Sequence, residues 1–305
     1  MIRVFRINPY NSYHVHALFS LMVWTRIVDS ISSGLAFFPP TPPSYRILPH
    51  GDGNHELYIE PIQPGLRRVP KAEVTRIPVG DHGAQSIVAA YIPAPNASSG
   101  NRFTILHSHG NAVDLGQMMG LYAELARVLR VNILAYDYRG YGLSDGRPAA
   151  SSTLVDISTA LELLLERYNR TMRDIVLYGQ SVGTGPTSWL AAKSPQVAGV
   201  VLHSPFLSGL RVIRPVKRWP SFVDIFPNIK YVPKIEAPLL ILHGSNDEVI
   251  DISHGRELYA LSRNPVDPLW AEGSNHHDVE AHPGYIPKLR EFLVHCFGEE
   301  YAKMK

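Results

Sequence analysis

The chain has 305 residues, 45% of them hydrophobic and 18% charged, with a formal net charge of +2 when histidines are neutral. That length can bury one large core or two smaller ones, and so nearly neutral a balance gives no electrostatic case for a nucleic-acid partner. A single cysteine, Cys296, excludes an internal disulfide and every cysteine-based metal site, as suits a reducing compartment.

The first 36 residues read as an amphipathic segment. "HALFSLMVW" (16–24) is apolar but ends at Arg26 and Asp29, well short of the roughly 20 residues a membrane-spanning helix needs. Arg3 and Arg6 precede it as in a signal peptide, yet "SSGLAFFPP" offers no small-x-small cleavage site. Trp24, Ile27, Ile31 and Leu35 share one helical face. Such a face suits contact with a membrane surface or packing on the domain itself, and the sequence leaves both open. "FFPPTPPSY" (37–45) then reads as a stiff, extended linker into a domain that runs to residue 305.

"ELYIEPI", "AEVTRIPV" and "SIVAAYIPA" are expected as strands at an antiparallel sheet edge. From Arg102 the rhythm changes. "FTILHSHG", "VNILAYDY", "DIVLYGQ", "AGVVLHSP" and "PLLILHGS" are short, apolar and β-branched, like strands buried on both faces. Helical segments alternate with them at 114–130, 153–168, 185–194, 253–262 and 283–297. The alternation predicts an α/β fold, a mostly parallel sheet with helices on both faces. The stretch 207–237 interrupts it with Arg211, Arg214, Lys217, Arg218, Trp219, Phe222, Phe226 and Tyr231. It reads as a small cap at the ligand-binding edge of the sheet, with a long surface connection as the alternative.

"DIVLYGQSVGTGPT" (174–187) carries Ser181 in the pattern G-x-S-x-G, between a strand and a helix start. A sharp strand-to-helix turn holds such a serine in a strained conformation and leaves no room for side chains two residues away on either side, hence Gly179 and Gly183. The hydroxyl is pushed into the open, and the Val182 N–H faces the same space. A serine hydroxyl needs a base, and the base an orienting acid. Asp247 is the first acid past the strand "PLLILHG", 66 residues beyond Ser181, with Glu248 and Asp251 as rivals. His276 follows 29 residues later in "EGSNHHDVE", with His277 as its rival. His243, His254 and His282 read as ordinary polar or structural residues. The Asn111 N–H, after the strand that ends in "HSHGNA", is expected to pair with the Val182 N–H as an oxyanion hole. His107-x-His109 has metal-ligand spacing but no third ligand, so no metal or cofactor is expected.

"HSHGNAVDLGQM", "AYDYRGYGLSDGRP", "YGQSVGTGPT", "LHSPFLSGLRV", "FPNI", "ILHGSNDEVIDISHG" and "EGSNHHDVE" together resemble the alpha/beta-hydrolase domain-containing protein 17 family, from about Gly34 to Phe297. The resemblance implies the α/β-hydrolase fold, with Ser181 as nucleophile, Asp247 as acid and His276 as base. It further implies a membrane-associated acyl-protein thioesterase that removes palmitate from S-acylated proteins, cytoplasmic and peripheral at the plasma or endosomal membrane. Animal members carry an N-terminal cysteine cluster for acylation. This chain has no cysteine before Cys296 and no Met-Gly start, which leaves the apolar 16–38 segment as the anchor candidate. An esterase for small lipid or xenobiotic esters, with the same machinery, and a non-catalytic membrane adaptor are the competing readings.

Overall fold

The computed structural model describes residues 36–49, 57–61, 69, 72–80, 83–95, 101–213 and 224–303. The amphipathic segment expected in the first 36 residues lies outside them, except for its last residue. So do Arg214, Lys217, Arg218, Trp219 and Phe222 of the 207–237 insertion.

The apolar runs become strands and the periodic runs helices. In chain order the elements are β1 (Tyr45–Pro49), β2 (Leu57–Pro61), β3 (Glu73–Val79), β4 (Gln85–Ile92), β5 (Thr104–Ser108), α1 (Leu115–Leu129), β6 (Asn132–Tyr136) and α2 (Ala150–Glu166). There follow β7 (Ile175–Gln180), α3 (Thr184–Ala191), β8 (Gly199–His203), α4 (Gly209–Ile213), α5 (Asn228–Tyr231), β9 (Leu239–Gly244), α6 (Ile252–Leu261), β10 (Leu269–Ala271) and α7 (Tyr285–Ala302). The strands form one sheet in the order β1-β2-β3-β4-β6-β5-β7-β8-β9-β10. From β6 to β10 every neighbouring pair is parallel. From β1 to β6 the pairs are antiparallel, with β4 meeting β6 at Ala89↔Tyr136. The chain therefore has the expected fold, an antiparallel edge joined to a parallel centre.

Why the central strands are apolar at every position follows from what covers them. Leu106, Leu134, Leu177, Leu202 and Ile241 point into a core shared with Ile157, Ala160 and Leu164 of α2, Leu190 of α3 and Leu258 of α6. Ile105, Ile133, Val176, Val201 and Leu240 point the other way, into a core with Leu115, Met119 and Leu125 of α1 and Leu289 and Phe292 of α7. Side chains alternate between faces along a strand, so both parities must be apolar. Helix α1 starts cleanly because Asp114 caps it, accepting from the Gln117 N–H while the Gln117 side chain accepts from the Asp114 N–H.

The expected linker 37–45 is packed instead. The chain bends at residues 41, 42 and 44, and Phe37 and Tyr45 at its two ends are 3% and 1% exposed. Ser44 bonds Asp114 through its N–H at 2.8 Å, and the Tyr45 hydroxyl donates to buried Asp137 at 2.5 Å. Local stiffness was legible in the prolines; that aromatic ends would find pockets on the domain was not. The 36–44 stretch is a strap rather than a spacer.

The described part of the insertion between β8 and β9 meets the start of α3. Buried Asn228 donates through Nδ2 to the Phe206 carbonyl (3.0 Å) and to Thr184 Oγ1 (3.2 Å). The Phe226 ring rests so close to Gly185 that a β-carbon there would come within 2.3 Å of it.

Candidate active site

The turn after β7 follows from the glycine spacing. Ser181 has φ +49°, a left-handed conformation in which a side chain is strained, and the chain passes through one tight turn, Ser181–Gly183, into α3. A β-carbon on Gly179 would meet the Gly183 carbonyl oxygen at 2.5 Å, and one on Gly183 would meet the Ser108 carbonyl oxygen at 2.3 Å. No side chain larger than hydrogen fits at either position. The strain is thus held in place by backbone on both sides.

Three of the side chains singled out in the sequence meet at this turn. His276 Nε2 lies 3.1 Å from Ser181 Oγ, and His276 Nδ1 lies 2.7 Å from Asp247 Oδ2. Asp247 sits just past β9 and His276 past β10, strands paired in register at Ala271↔Gly244. The other Asp247 oxygen accepts from the Val249 N–H (3.0 Å) and the Ile250 N–H (2.7 Å). Burial pushes the Asp247 carboxyl up, but hydrogen bonds from His243, His276 and the Ile250 N–H outweigh it and hold the group well below the usual carboxylate range. It is therefore an anion at any working pH. The rivals lie elsewhere. Glu248 and His277 are exposed, and Asp251 caps α6 by accepting from the Ser253 N–H at 2.9 Å.

The loop after β5 completes the surroundings. Gly110 places its α-carbon beside the serine, so that a β-carbon on it would stand 3.8 Å from Ser181 Cβ. Asn111 follows it directly, and Val182 follows Ser181 at the head of the turn into α3. His107 and His109 have separate partners. His107 lies 3.3 Å from the Tyr122 hydroxyl and stacks on Tyr178, whereas His109 Nδ1 bonds the Gly110 carbonyl at 2.7 Å. Among the described residues there is no group of three or more histidine, cysteine or acidic side chains arranged to hold a metal.

A hydroxyl, an imidazole and a buried carboxylate joined in this order can transfer a proton from serine to histidine while the carboxylate fixes the ring tautomer. Comparison with known proteins agrees in kind. The family model described as Serine aminopeptidase, S33 (Hydrolase_4) matches residues 100–232, which include the serine turn but stop short of Asp247 and His276. Alpha/beta hydrolase domain-containing protein 17C of Xenopus tropicalis is 47% identical over 198 residues, 65% of this chain and 64% of that protein. Human alpha/beta hydrolase domain-containing protein 17B is 41% identical over 269 residues, 86% of this chain and 90% of that protein. The chain belongs to the alpha/beta hydrolase domain-containing protein 17 family. It matches less than two thirds of the length of the 17C relative, and most of 17B.

Solved structures related to this member of the 17 family only distantly share its fold. An esterase of Pyrococcus furiosus superposes with a TM-score of 0.60 at 19% identity, covering 75% of this chain and 93% of the other. An alpha-beta serine hydrolase homologue from Coxiella burnetii gives 0.54 at 19%, covering 75% and 97%.

Two histidines stand beside the site: His243, which the sequence offered as an ordinary polar or structural residue, and His203, which it did not single out. His243, fully buried at the end of β9, has Nε2 2.8 Å from the Ile250 carbonyl and 3.3 Å from Asp247 Oδ2, bracing the acid from behind. Its position four residues before Asp247 was the available signal. His203, at the end of β8, lies 3.0 Å from the Tyr178 hydroxyl, which in turn lies 2.9 Å from the Tyr285 hydroxyl. Glu280 was also missed. It accepts from Gln180 Nε2 at 2.7 Å and so ties the residue before Ser181 to the loop that carries His276. Of the remaining histidines, His254 Nδ1 accepts from the Leu207 N–H (3.1 Å) and His282 Nδ1 from the Gly284 N–H (3.0 Å), both structural.

Proposed function

We propose that the chain is a serine hydrolase that cleaves acyl thioesters, removing palmitate from S-acylated proteins. The observation that carries the hydrolase reading is the unbroken relay from Asp247 through His276 to Ser181 Oγ on a strained turn. Ser181 Oγ attacks the acyl carbonyl carbon while His276 Nε2 takes the hydroxyl proton. Asp247 orients the ring and stabilises the imidazolium. The oxyanion is met by the Asn111 and Val182 N–H groups. As the carbon–sulfur bond breaks, His276 returns its proton to the leaving cysteine thiolate, and an acyl ester remains on Ser181. Water, deprotonated by His276, then adds to that ester, and the fatty acid leaves with Ser181 restored. Every step is proton transfer or nucleophilic addition and elimination, so no cofactor is called for.

The preference for thioesters rests on the family, not on a pocket. A palmitoylated substrate is anchored at a bilayer, so the protein must work at a membrane surface, peripheral to the plasma or endosomal membrane on its cytoplasmic side. The apolar residues Trp24, Ile27, Ile31 and Leu35 and the basic residues Arg214, Lys217 and Arg218 suit such contact, at about 1 kcal/mol per basic residue near an anionic surface, whereas Arg211 faces Asp224 at 3.7 Å with its side chain only 18% exposed. Co-flotation of the full chain with phosphatidylserine vesicles measures it. No helix among the described residues is long and apolar enough to cross a membrane.

The deciding experiment compares the parent chain with Ser181→Ala. The parent should label with a fluorophosphonate and hydrolyse palmitoyl-cysteine peptides faster than monoacylglycerols. Ser181→Ala should do neither, with a loss on the order of a millionfold in rate. Labelling that survives in Ser181→Ala removes the nucleophile assignment. A preference for monoacylglycerols moves the chain to the small-ester reading, and a folded parent that neither labels nor hydrolyses supports the adaptor.

A further inference from the structure

The oxyanion loop is held by a piece of chain far from it in sequence. The Asn111 carboxamide donates through Nδ2 to the Ala36 carbonyl at 2.9 Å. Its Oδ1 accepts from the Phe38 N–H at 2.9 Å, the Tyr141 hydroxyl at 2.6 Å and the Ala112 N–H at 3.0 Å. The Phe38 N–H is shared, lying 3.2 Å from the Tyr141 hydroxyl oxygen as well. Between these bonds sits the Phe37 ring, edge-on to Tyr141 at 6.3 Å and to Phe226 of the insertion at 6.2 Å. Phe38 itself is 58% exposed, so at that position the backbone does the holding.

A loop of this shape needs such support. Ala112 stands at φ +58°, a conformation that a residue with a side chain adopts at a cost and keeps only where its surroundings impose it. Burial pushes the Tyr141 hydroxyl well above its usual range, so it stays a donor at every assay pH.

We infer that residues 36–38 and Tyr141 form a positioning clamp on Asn111, which makes the N-terminal strap a working part of the catalytic centre. The inference rests on the serine-hydrolase reading of Ser181. An oxyanion hole stabilises only what its donors point at, and a displacement of about 1 Å costs on the order of a hundredfold in rate. Phe37 seats the strap, and Ala36 and Phe38 present a carbonyl and an N–H to the carboxamide. Tyr141 closes the remaining side.

The test uses the full chain with Tyr141→Phe, which keeps the ring, Phe37→Leu, which keeps most of the apolar volume, and the double variant. Turnover of a soluble short-chain thioester is measured across pH, together with the rate of fluorophosphonate labelling. For Tyr141→Phe, kcat and kcat/KM should fall together, on the order of tenfold, with KM unchanged, because the lost interaction is made only in the transition state. Labelling should slow by a similar factor. The pH profile should keep its shape, since His276 and Asp247 are untouched. The double variant should fall about as far as the worse single one, because both release the same carboxamide. A rise in KM alone would make the strap a binding surface and overturn the clamp. So would a folded Tyr141→Phe whose kcat stays within twofold of the parent, the result a merely structural tyrosine would give. Labelling that survives Ser181→Ala refutes the serine reading and the clamp with it; an unchanged Tyr141→Phe in a parent whose labelling needs Ser181 refutes the clamp alone.

Discussion

Lowering the pH should unfold this protein through His203. The ring is fully buried, its Nδ1 engaged by Tyr178 and its Nε2 without a hydrogen-bond partner among the described residues. Burial, reinforced by the nearby His276 and His243, pushes its pKa from 6.5 down to about 3. The folded chain therefore resists a proton that the unfolded chain accepts near pH 6.5. Stability from this group is complete above that pH and drains away as pH falls towards 3. At about 1.4 kcal/mol per unit, the interval from 6.5 to pH 5 removes about 2 kcal/mol, and the limit near pH 3 is about 5 kcal/mol. Glu280, 3.8 Å from Nδ1, gives little relief, because burial raises its own pKa and its Oε1 is engaged by Gln180. Its uptake of a proton works in the opposite direction, and His107, whose pKa burial also lowers, in the same one. Comparison with His203→Asn isolates the ring, since the amide can still bond Tyr178. Urea unfolding at pH 7.5 and 5.0 should show the parent losing about 2 kcal/mol more than the variant between the two pH values. Equal losses in the two proteins would refute the argument and mean that water reaches the His203 ring.

The adjacent histidines offer a sharp comparison: His276→Ala should lose fluorophosphonate labelling, while His277→Ala, with its exposed ring, should stay within twofold of the parent. Asp247→Asn should cost about 10⁴ in kcat by fixing the wrong tautomer, and Asp251→Ala, which loses a helix cap, should cost stability instead; full rate in Asp247→Asn would move the acid elsewhere. In Gly183→Ala the new methyl meets the Ser108 carbonyl at 2.3 Å, so the backbone must shift, at roughly 1–3 kcal/mol, with a lower urea midpoint and slower labelling. An unchanged midpoint would show that the turn has slack.

Where each part of the site could be read in the sequence depends on how far its cause reaches along the chain. The strands β5 to β9 were legible because burial on both faces demands a continuous apolar run. The serine turn was legible because a steric rule ties Gly179 and Gly183 to Ser181 over a few residues. Asp247 and His276 were read from loops that follow strands, with His276 preferred over His277, and the structure brings both side chains to Ser181. The strap was misread. The prolines between Phe37 and Tyr45 describe stiffness, whereas the pocket for Phe37 is made by Tyr141 and Phe226, more than a hundred residues later. His203 and Glu280 left no trace for the same reason: their partners are assembled only when strands distant in sequence lie side by side.

The sheet order also sets when the chain acquires its chemistry. Ser181 emerges with β7, in the middle of the sheet, but its base lies 95 residues further on. That base hangs from β10, a three-residue edge strand paired to β9 alone, with α7 still to follow. A nascent chain can thus complete most of the parallel sheet and carry a well-formed serine turn while remaining chemically silent. Reactivity switches on only when the last strand docks and brings His276 to the serine. On the serine-hydrolase reading, fluorophosphonate labelling of this protein should therefore report that the segment carrying His276 has docked as much as that Ser181 is in place.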